Sequence, residues 1–145
     1  MLKIRAAAQN DLPAILAIEG EQPFPWSMES LQNCFAEPYQ CLVLEIEGKI
    51  TGFGVISCVV DEGEIHNIVI AKAYRRCGYG RQLLQELLQI ANQRGAKTVY
   101  LEVCATNIPA QELYKSLGFK TVGVRKDYYP TLNGRVDAVI LRYTY

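Results

Sequence analysis

The stretch Tyr74 to Arg81, Y-R-R-C-G-Y-G-R, constrains this chain more than any other. It follows an apolar run, Ile68-Val69-Ile70, and opens a long amphipathic segment, an order that predicts strand, glycine loop and helix start. Gly78 and Gly80 let the backbone turn tightly and approach a ligand closely. The first amides of a helix have no internal partners. With the helix dipole they attract an anion, and phosphate suits them well. Arg75, Arg76 and Arg81 add positive charge at the same place. The spacing is neither that of a Walker A loop nor the G-x-G-x-x-G of a dinucleotide fold. The competing reading is a surface loop that only caps a helix. The strand before it and the helix after it favour a phosphorylated cofactor.

A chain of 145 residues is expected to form one domain, 1–145. Half of its residues are hydrophobic, enough for a core, and its formal net charge is zero. There is no basic tail or lysine-rich tract, so a nucleic-acid role has no electrostatic support. The apolar runs are too short to span a bilayer. The N-terminus reads as a strand rather than a signal peptide. Five scattered cysteines, an odd count without a C-x-x-C pair, suggest reduced thiols and a cytoplasmic setting. With His66 the only histidine, no metal site is expected.

The remaining segments are read from periodicity and punctuation. Leu2 to Arg5 is a first strand. Asn10 or Asp11 caps a helix carrying Leu12, Ile15, Leu16 and Ile18. After the Phe24-Pro25-Trp26 turn, Ser27 caps a second short helix. Cys41–Ile46 and Ile50–Cys58 form a hairpin through Glu47-Gly48-Lys49, and Glu64–Ile70 is a fourth strand. Gln82–Asn92 is a helix stopped by Gly95. Thr98–Cys104 is an alternating strand, and Ile108–Leu117 a helix ended by Gly118. Phe119–Arg125 and Val136–Tyr143 close the sheet, with Tyr128 and Tyr129 in a loop before Pro130. The order β-α-α-β-β-β-α-β-α-β-β predicts an α/β (α+β) fold, a mixed central sheet of about seven strands with helices on both faces.

Two motifs then become specific. Arg75-x-x-Gly78-x-Gly80 resembles the pyrophosphate loop R/Q-x-x-G-x-G/A of the GNAT acetyltransferase superfamily. Leu101 to Phe119, L-E-V-C-A-T-N-I-P-A-Q-E-L-Y-K-S-L-G-F, resembles its element L-x-V-x-x-x-N-x-x-A-x-x-L-Y-x-x-x-G-F. With the element order, the similarity covers nearly the whole chain. Within the superfamily, F-P-W-S (Phe24 to Ser27), H-N-I (His66 to Ile68), L-E-V, Y-Y-P (Tyr128 to Pro130) and V-D-A-V-I-L (Val136 to Leu141) resemble the bacterial ribosomal-protein-alanine N-acetyltransferases. Related N-terminal and lysine acetyltransferases share pieces of this pattern.

The resemblance implies acetyl-CoA as cosubstrate. The backbone of Ile68, Val69 and Ile70 would pair with its pantetheine arm like an added strand. The amides of Arg76, Cys77, Gly78, Tyr79, Gly80 and Arg81 would hold the pyrophosphate, and Asn107 would contact the cofactor beyond the fifth strand. Cys77 departs from common forms of the loop, without consequence if backbone supplies the donors.

Acetyl transfer needs a neutral amine, a stabilised oxyanion and a protonated leaving sulfur. At pH 7 about 10–20% of a free α-amine is neutral, against roughly 0.04% of a lysine amine. An α-amine therefore needs less help from a base. Glu102 is the candidate base: it leaves the face shared by Val99, Leu101 and Val103, although a solvated or ion-paired strand residue is the plain alternative. Glu64, on the same face of its strand as His66, is the rival. By resemblance, Tyr114 is the candidate acid, placed near the cofactor sulfur; its plain alternative is a core tyrosine. His66 reads as packing. Trp26, Tyr128 and Tyr129 are candidate walls of a peptide groove.

The expected activity is acetylation of a protein N-terminus, most simply the alanine of a small-subunit ribosomal protein. A GNAT acting on a lysine or small-molecule amine is the alternative, and a non-catalytic acyl-CoA-binding module is a third reading. Oligomeric state is not legible.

Overall fold

The computed structural model describes residues 1–145. Strands β1 (Leu2–Ala6), β2 (Tyr39–Ile46), β3 (Lys49–Val59), β4 (Glu62–Ile70), β5 (Thr98–Cys104), β6 (Lys120–Thr131) and β7 (Gly134–Thr144) form one mixed sheet in the order β1-β2-β3-β4-β5-β7-β6. Only β4 and β5 run parallel. Helices α1 (Leu12–Glu19) and α2 (Met28–Asn33) cover one face; α3 (Tyr79–Gln93) and α4 (Ile108–Ser116) cover the other. The element order is the one expected, and the fold class stands.

Each face has its own core because strand side chains alternate. On the α3 side, Leu83, Leu84, Leu87 and Leu88 pack on Leu42, Leu44, Ile56, Val99 and Leu101. On the α1 side, Ile15, Ile18 and Leu31 pack on Val43, Phe53, Val55 and Val69. Ser27 caps α2 as expected, its Oγ accepting from the Ser30 amide at 3.1 Å. Asp11 behaves differently: its side chain gives α1 no cap bond. Its carboxylate instead takes a bidentate grip from Arg5 and a bond from the Ala8 amide.

Three differences from the sequence expectations bear on function. First, α3 begins at Tyr79, so Tyr79, Gly80 and Arg81 are its first turn and not part of the loop. Second, Tyr128 and Tyr129 do not lie in a loop. Strand β6 continues through Thr131, with Tyr129 opposite Val136 and Pro130 opposite Arg135. Pro130 is tolerated because β6 is an edge strand.

Third, β4 carries a bulge at His66. Val55 pairs with Asn67 and Ile56 with Ile65, leaving His66 as the extra residue. Ile65 and Ile68 can therefore both face α3 although they are three apart. The parallel ladder to β5 ends at the same place, with Ile65 opposite Leu101 as its last pair. Beyond it the two strands part, leaving the β5-facing edge of Asn67 to Ile70 open.

Candidate active site

The parting of β4 and β5 creates the site. A cavity of about 520 Å³ runs from the free edge of β4 to the start of α3, lined by Ile68, Val69, Ile70, Gly78, Gly80 and Arg81, among others. Asn107, Leu113 and Tyr114 close it from α4. An unpaired strand edge is a template for an extended amide-bearing chain.

At the far end the backbone is shaped for an anion. Arg76 (φ 64°) and Gly78 (φ 83°) are both left-handed, and Gly78 is the N-cap of α3. Successive amides in such turns form a concave nest for an anion at the positive end of the helix. A Cβ at Gly78 would meet nothing, so that glycine serves conformation rather than space. Gly80 is the reverse. It sits within the helix without a positive φ, and an added Cβ would find room, its nearest neighbour being Leu113 at 3.6 Å. Glycine inside a helix costs about 1 kcal/mol relative to alanine. Nothing in the chain's own packing requires a glycine there.

The charge agrees. Arg75 donates from Nε to the Ile70 carbonyl at 2.9 Å, and Arg81 from Nη2 to Ser116 Oγ at 2.7 Å. No carboxylate pairs with Arg75, Arg76 or Arg81. Cys77 is exposed, its thiol turned to the Arg75 carbonyl and away from the cavity, so only its backbone belongs to the nest.

A second cavity, also about 520 Å³, lies on the α1 side and is lined by Trp26, His66, Glu102, Cys104 and Tyr129, among others. The two cavities share Gln22, Ile68, Asn107 and Tyr114. Tyr114 is 8% exposed with its ring against Phe119, so it is both a core residue and a wall of both cavities. Burial pushes its phenol up to about 12, with a further push from Tyr129. It therefore stays protonated, a donor at the junction. Asn107 caps α4, its Oδ1 accepting from the Ala110 amide at 3.3 Å.

Glu102 leaves the core face, as expected, and opens into the second cavity. Its Oε1 forms an ion pair with Arg125, 2.7 Å from Nε. Tyr129, pushed up to about 12 by burial and then by the Glu102 charge, is a second neutral phenol in this cavity, stacked on Phe24 with ring centroids 5.9 Å apart. Tyr128 is absent from the lining. Its ring packs edge-on against Tyr129 at 5.0 Å and beneath Arg125.

Glu64 lines a smaller neighbouring cavity with Glu102 and does not reach the junction. It faces His66 Nδ1 at 3.3 Å, while His66 Nε2 lies 2.6 Å from Ser57 Oγ. Burial holds the imidazole below its ordinary value against the pull of Glu64. This network fastens the bulge that separates β4 from β5.

Sequence reasoning missed Glu19. Buried at 2% exposure, it accepts from the Trp26 amide at 2.8 Å and from Asn67 Nδ2 at 3.0 Å. It ties the Phe-Pro-Trp turn to the free part of β4. The only available signal was a carboxylate directly following the apolar residues of α1.

Fold and site together define an acyl-CoA-dependent transferase, and the comparisons with known proteins agree. Residues 6–119 match the Acetyltransferase (GNAT) family model. The chain belongs to the GNAT family and is an acetyl-CoA-dependent N-acetyltransferase. It is 39% identical over 142 residues to the [ribosomal protein bS18]-alanine N-acetyltransferase of Escherichia coli K12, covering 97% of this chain and 96% of that one. It is 37% identical to the protein of the same name from Salmonella typhimurium, with the same coverage. The crystal structure of the Escherichia coli ribosomal-protein-S18-alanine N-acetyltransferase superposes with a TM-score of 0.95 at 39% identity, covering 99% of this chain and 94% of that one.

Proposed function

We propose that the chain acetylates the α-amine of a protein N-terminus, the alanine of a small-subunit ribosomal protein, in the cytoplasm and as a single catalytic domain, 1–145. Acetyl-CoA is the acetyl donor, and no metal takes part. One observation carries this reading: a cavity ending in an amide nest meets a second, carboxylate-bearing cavity at Ile68, Asn107 and Tyr114. The names of the relatives support the choice of protein substrate.

The nest from Arg76 to Arg81 takes the diphosphate, and Gly80 lets it approach. The free edge of Ile68 to Ile70 takes the amides of the pantetheine arm, and Asn107 and Tyr114 close over its end. When bound, acetyl-CoA supplies an acyl group activated as a thioester. Glu102 receives the proton of the incoming amine, directly or through one water. Arg125 keeps the carboxylate in place through Oε1, which leaves Oε2 for that task. Trp26 and Tyr129 wall the peptide side, and Tyr128 supports Tyr129 from behind.

Tyr114 donates a hydrogen bond to the departing sulfur. With its phenol near 12 and a thiol near 8.5, complete transfer of the proton to a thiolate would be about 5 kcal/mol uphill. Hydrogen bonding, not a free-standing proton transfer, is therefore its contribution; the sulfur leaves as a thiolate and takes its proton from water, while Glu102 returns the amine's proton to solvent.

The test is mass spectrometry of a peptide library incubated with the protein and labelled acetyl-CoA. Label on α-amines, with alanine-first peptides preferred, is the expected result. Label confined to lysine side chains, or no label on any peptide, contradicts the proposal.

A further inference from the structure

Gln22 is the one residue in the chain with a buried side-chain polar atom, Nε2, that has no hydrogen-bond partner. Leaving a buried donor unsatisfied costs about 1–3 kcal/mol. Gln22 is also one of the four residues shared by the two cavities. The orphaned donor therefore belongs to the residue that stands where donor and acceptor substrates meet.

Its position is fixed by its neighbours. Glu19, at the end of α1, accepts from Asn67 Nδ2 at 3.0 Å, and Glu21 accepts from the Lys72 amide at 3.0 Å. These two bonds stitch the chain on either side of the free edge of β4. The Gln22 amide donates to the Glu19 carbonyl at 2.9 Å, which continues the turn. Gln22 is thereby held over Ile68 to Ile70. The other polar groups around it have work already: Asn107 Oδ1 caps α4, and the proposed function assigns Tyr114 to the sulfur and Glu102 to the amine.

We propose that the Gln22 side-chain amide donates to the first peptide carbonyl of the substrate, so that it distinguishes a peptide N-terminus from a side-chain amine. This inference rests on the N-terminal reading above. An α-amine and the carbonyl of its own residue are separated by a single α-carbon, so an amine at the junction brings that oxygen with it. A lysine amine keeps its nearest carbonyl a whole side chain away. A donor near the reacting nitrogen is left unpaired by such a substrate, and an unpaired buried group is how a site rejects an analogue.

The test compares Gln22→Met with the unaltered protein on an alanine-first peptide and on the same peptide with its first amide replaced by a trans-alkene, which has no carbonyl. Methionine keeps the volume and removes the donor. Because it also removes an orphaned polar group, the variant is expected to be as stable as the parent or more so in a thermal melt. Its kcat/KM on the normal peptide should fall about 10- to 100-fold. On the alkene peptide the two proteins should be equal, and acetyl-CoA affinity measured by calorimetry should be unchanged. Equal losses on both peptides, no loss on either, or weakened acetyl-CoA binding would overturn the assignment. If the unaltered protein acetylates lysine-bearing peptides but no peptide end, the N-terminal reading itself fails. A working unaltered protein with an unaffected Gln22→Met variant sinks only this inference.

Discussion

Arg125 Nε lies 2.7 Å from Glu102 Oε1 in an ion pair that reaches across β7 from the edge strand to β5, the strand that borders the junction of the two cavities. The proposed base is thus held on one oxygen and open on the other. Glu64 sits nearby with its side chain 61% exposed and touches neither of the cavities that meet at Tyr114. A positioned base contributes about 10²–10⁴-fold to rate. Glu102→Gln is expected to lower kcat by that order and Glu64→Gln by far less, measured at saturating acetyl-CoA. Comparable losses, or the reverse order, reject the assignment.

Tyr114→Phe removes only an oxygen from a ring that packs on Phe119. Fold and acetyl-CoA affinity should be retained while kcat falls, as seen by calorimetry beside steady-state rates. The pH dependence has a defined sign. A phenol donates only while protonated, and burial has pushed this one up to about 12. No alkaline decline in kcat from Tyr114 is therefore expected between pH 7 and roughly pH 10, whereas an unperturbed phenol near 10 would already be half ionised at the upper end. A descending limb centred below pH 10 that vanishes in Tyr114→Phe would contradict this.

Gly80→Ala separates folding from binding. The added methyl has room within the chain, and alanine favours a helix by up to about 1 kcal/mol. The melting temperature should hold or rise while acetyl-CoA affinity drops, since in the proposed binding mode the methyl enters the wall that the diphosphate approaches. An unchanged dissociation constant would show that the ligand keeps its distance from Gly80.

Arg5 grips both oxygens of Asp11, at 2.7 and 3.0 Å, and holds its carboxyl below the ordinary value of 3.8. The folded state then binds fewer protons than the unfolded state, so stability rises with pH through this window. The contribution is complete above about pH 4 and disappears as pH falls through the folded value. Asp11→Asn should lower stability by about 1–3 kcal/mol at pH 7 and flatten the acid side of the stability curve, both measurable by urea unfolding.

The sequence was most legible where one period and clear stops coincided. Strand β5 alternates strictly between the α3-side core and the open face, so its limits and the outward turn of Glu102 could be read directly. Helix α4 ends before left-handed Gly118, a stop the glycine signalled, whereas Tyr114 was picked out by resemblance to the L-Y-x-x-x-G-F motif and not by the helix pattern. Tyr128 and Tyr129 were misassigned to a loop because proline signals a break. An edge strand has a free side on which the missing amide costs nothing. The bulge at His66 left no signal, since Ile65-His66-Asn67-Ile68 reads as an ordinary strand either way. Glu19 and Gln22 were equally silent. Their importance comes from contacts with β4, distant in sequence, which local patterns do not encode.

Amide hydrogen exchange with and without acetyl-CoA tests the central claim most directly, because the account assigns the ligand to two stretches of main chain. Protection should appear in Ile68–Ile70, whose edge is open toward β5, and in Arg76–Arg81, and it should extend to α4 around Asn107. Binding that leaves both stretches exchanging at their free rates, or no binding at all, would contradict it.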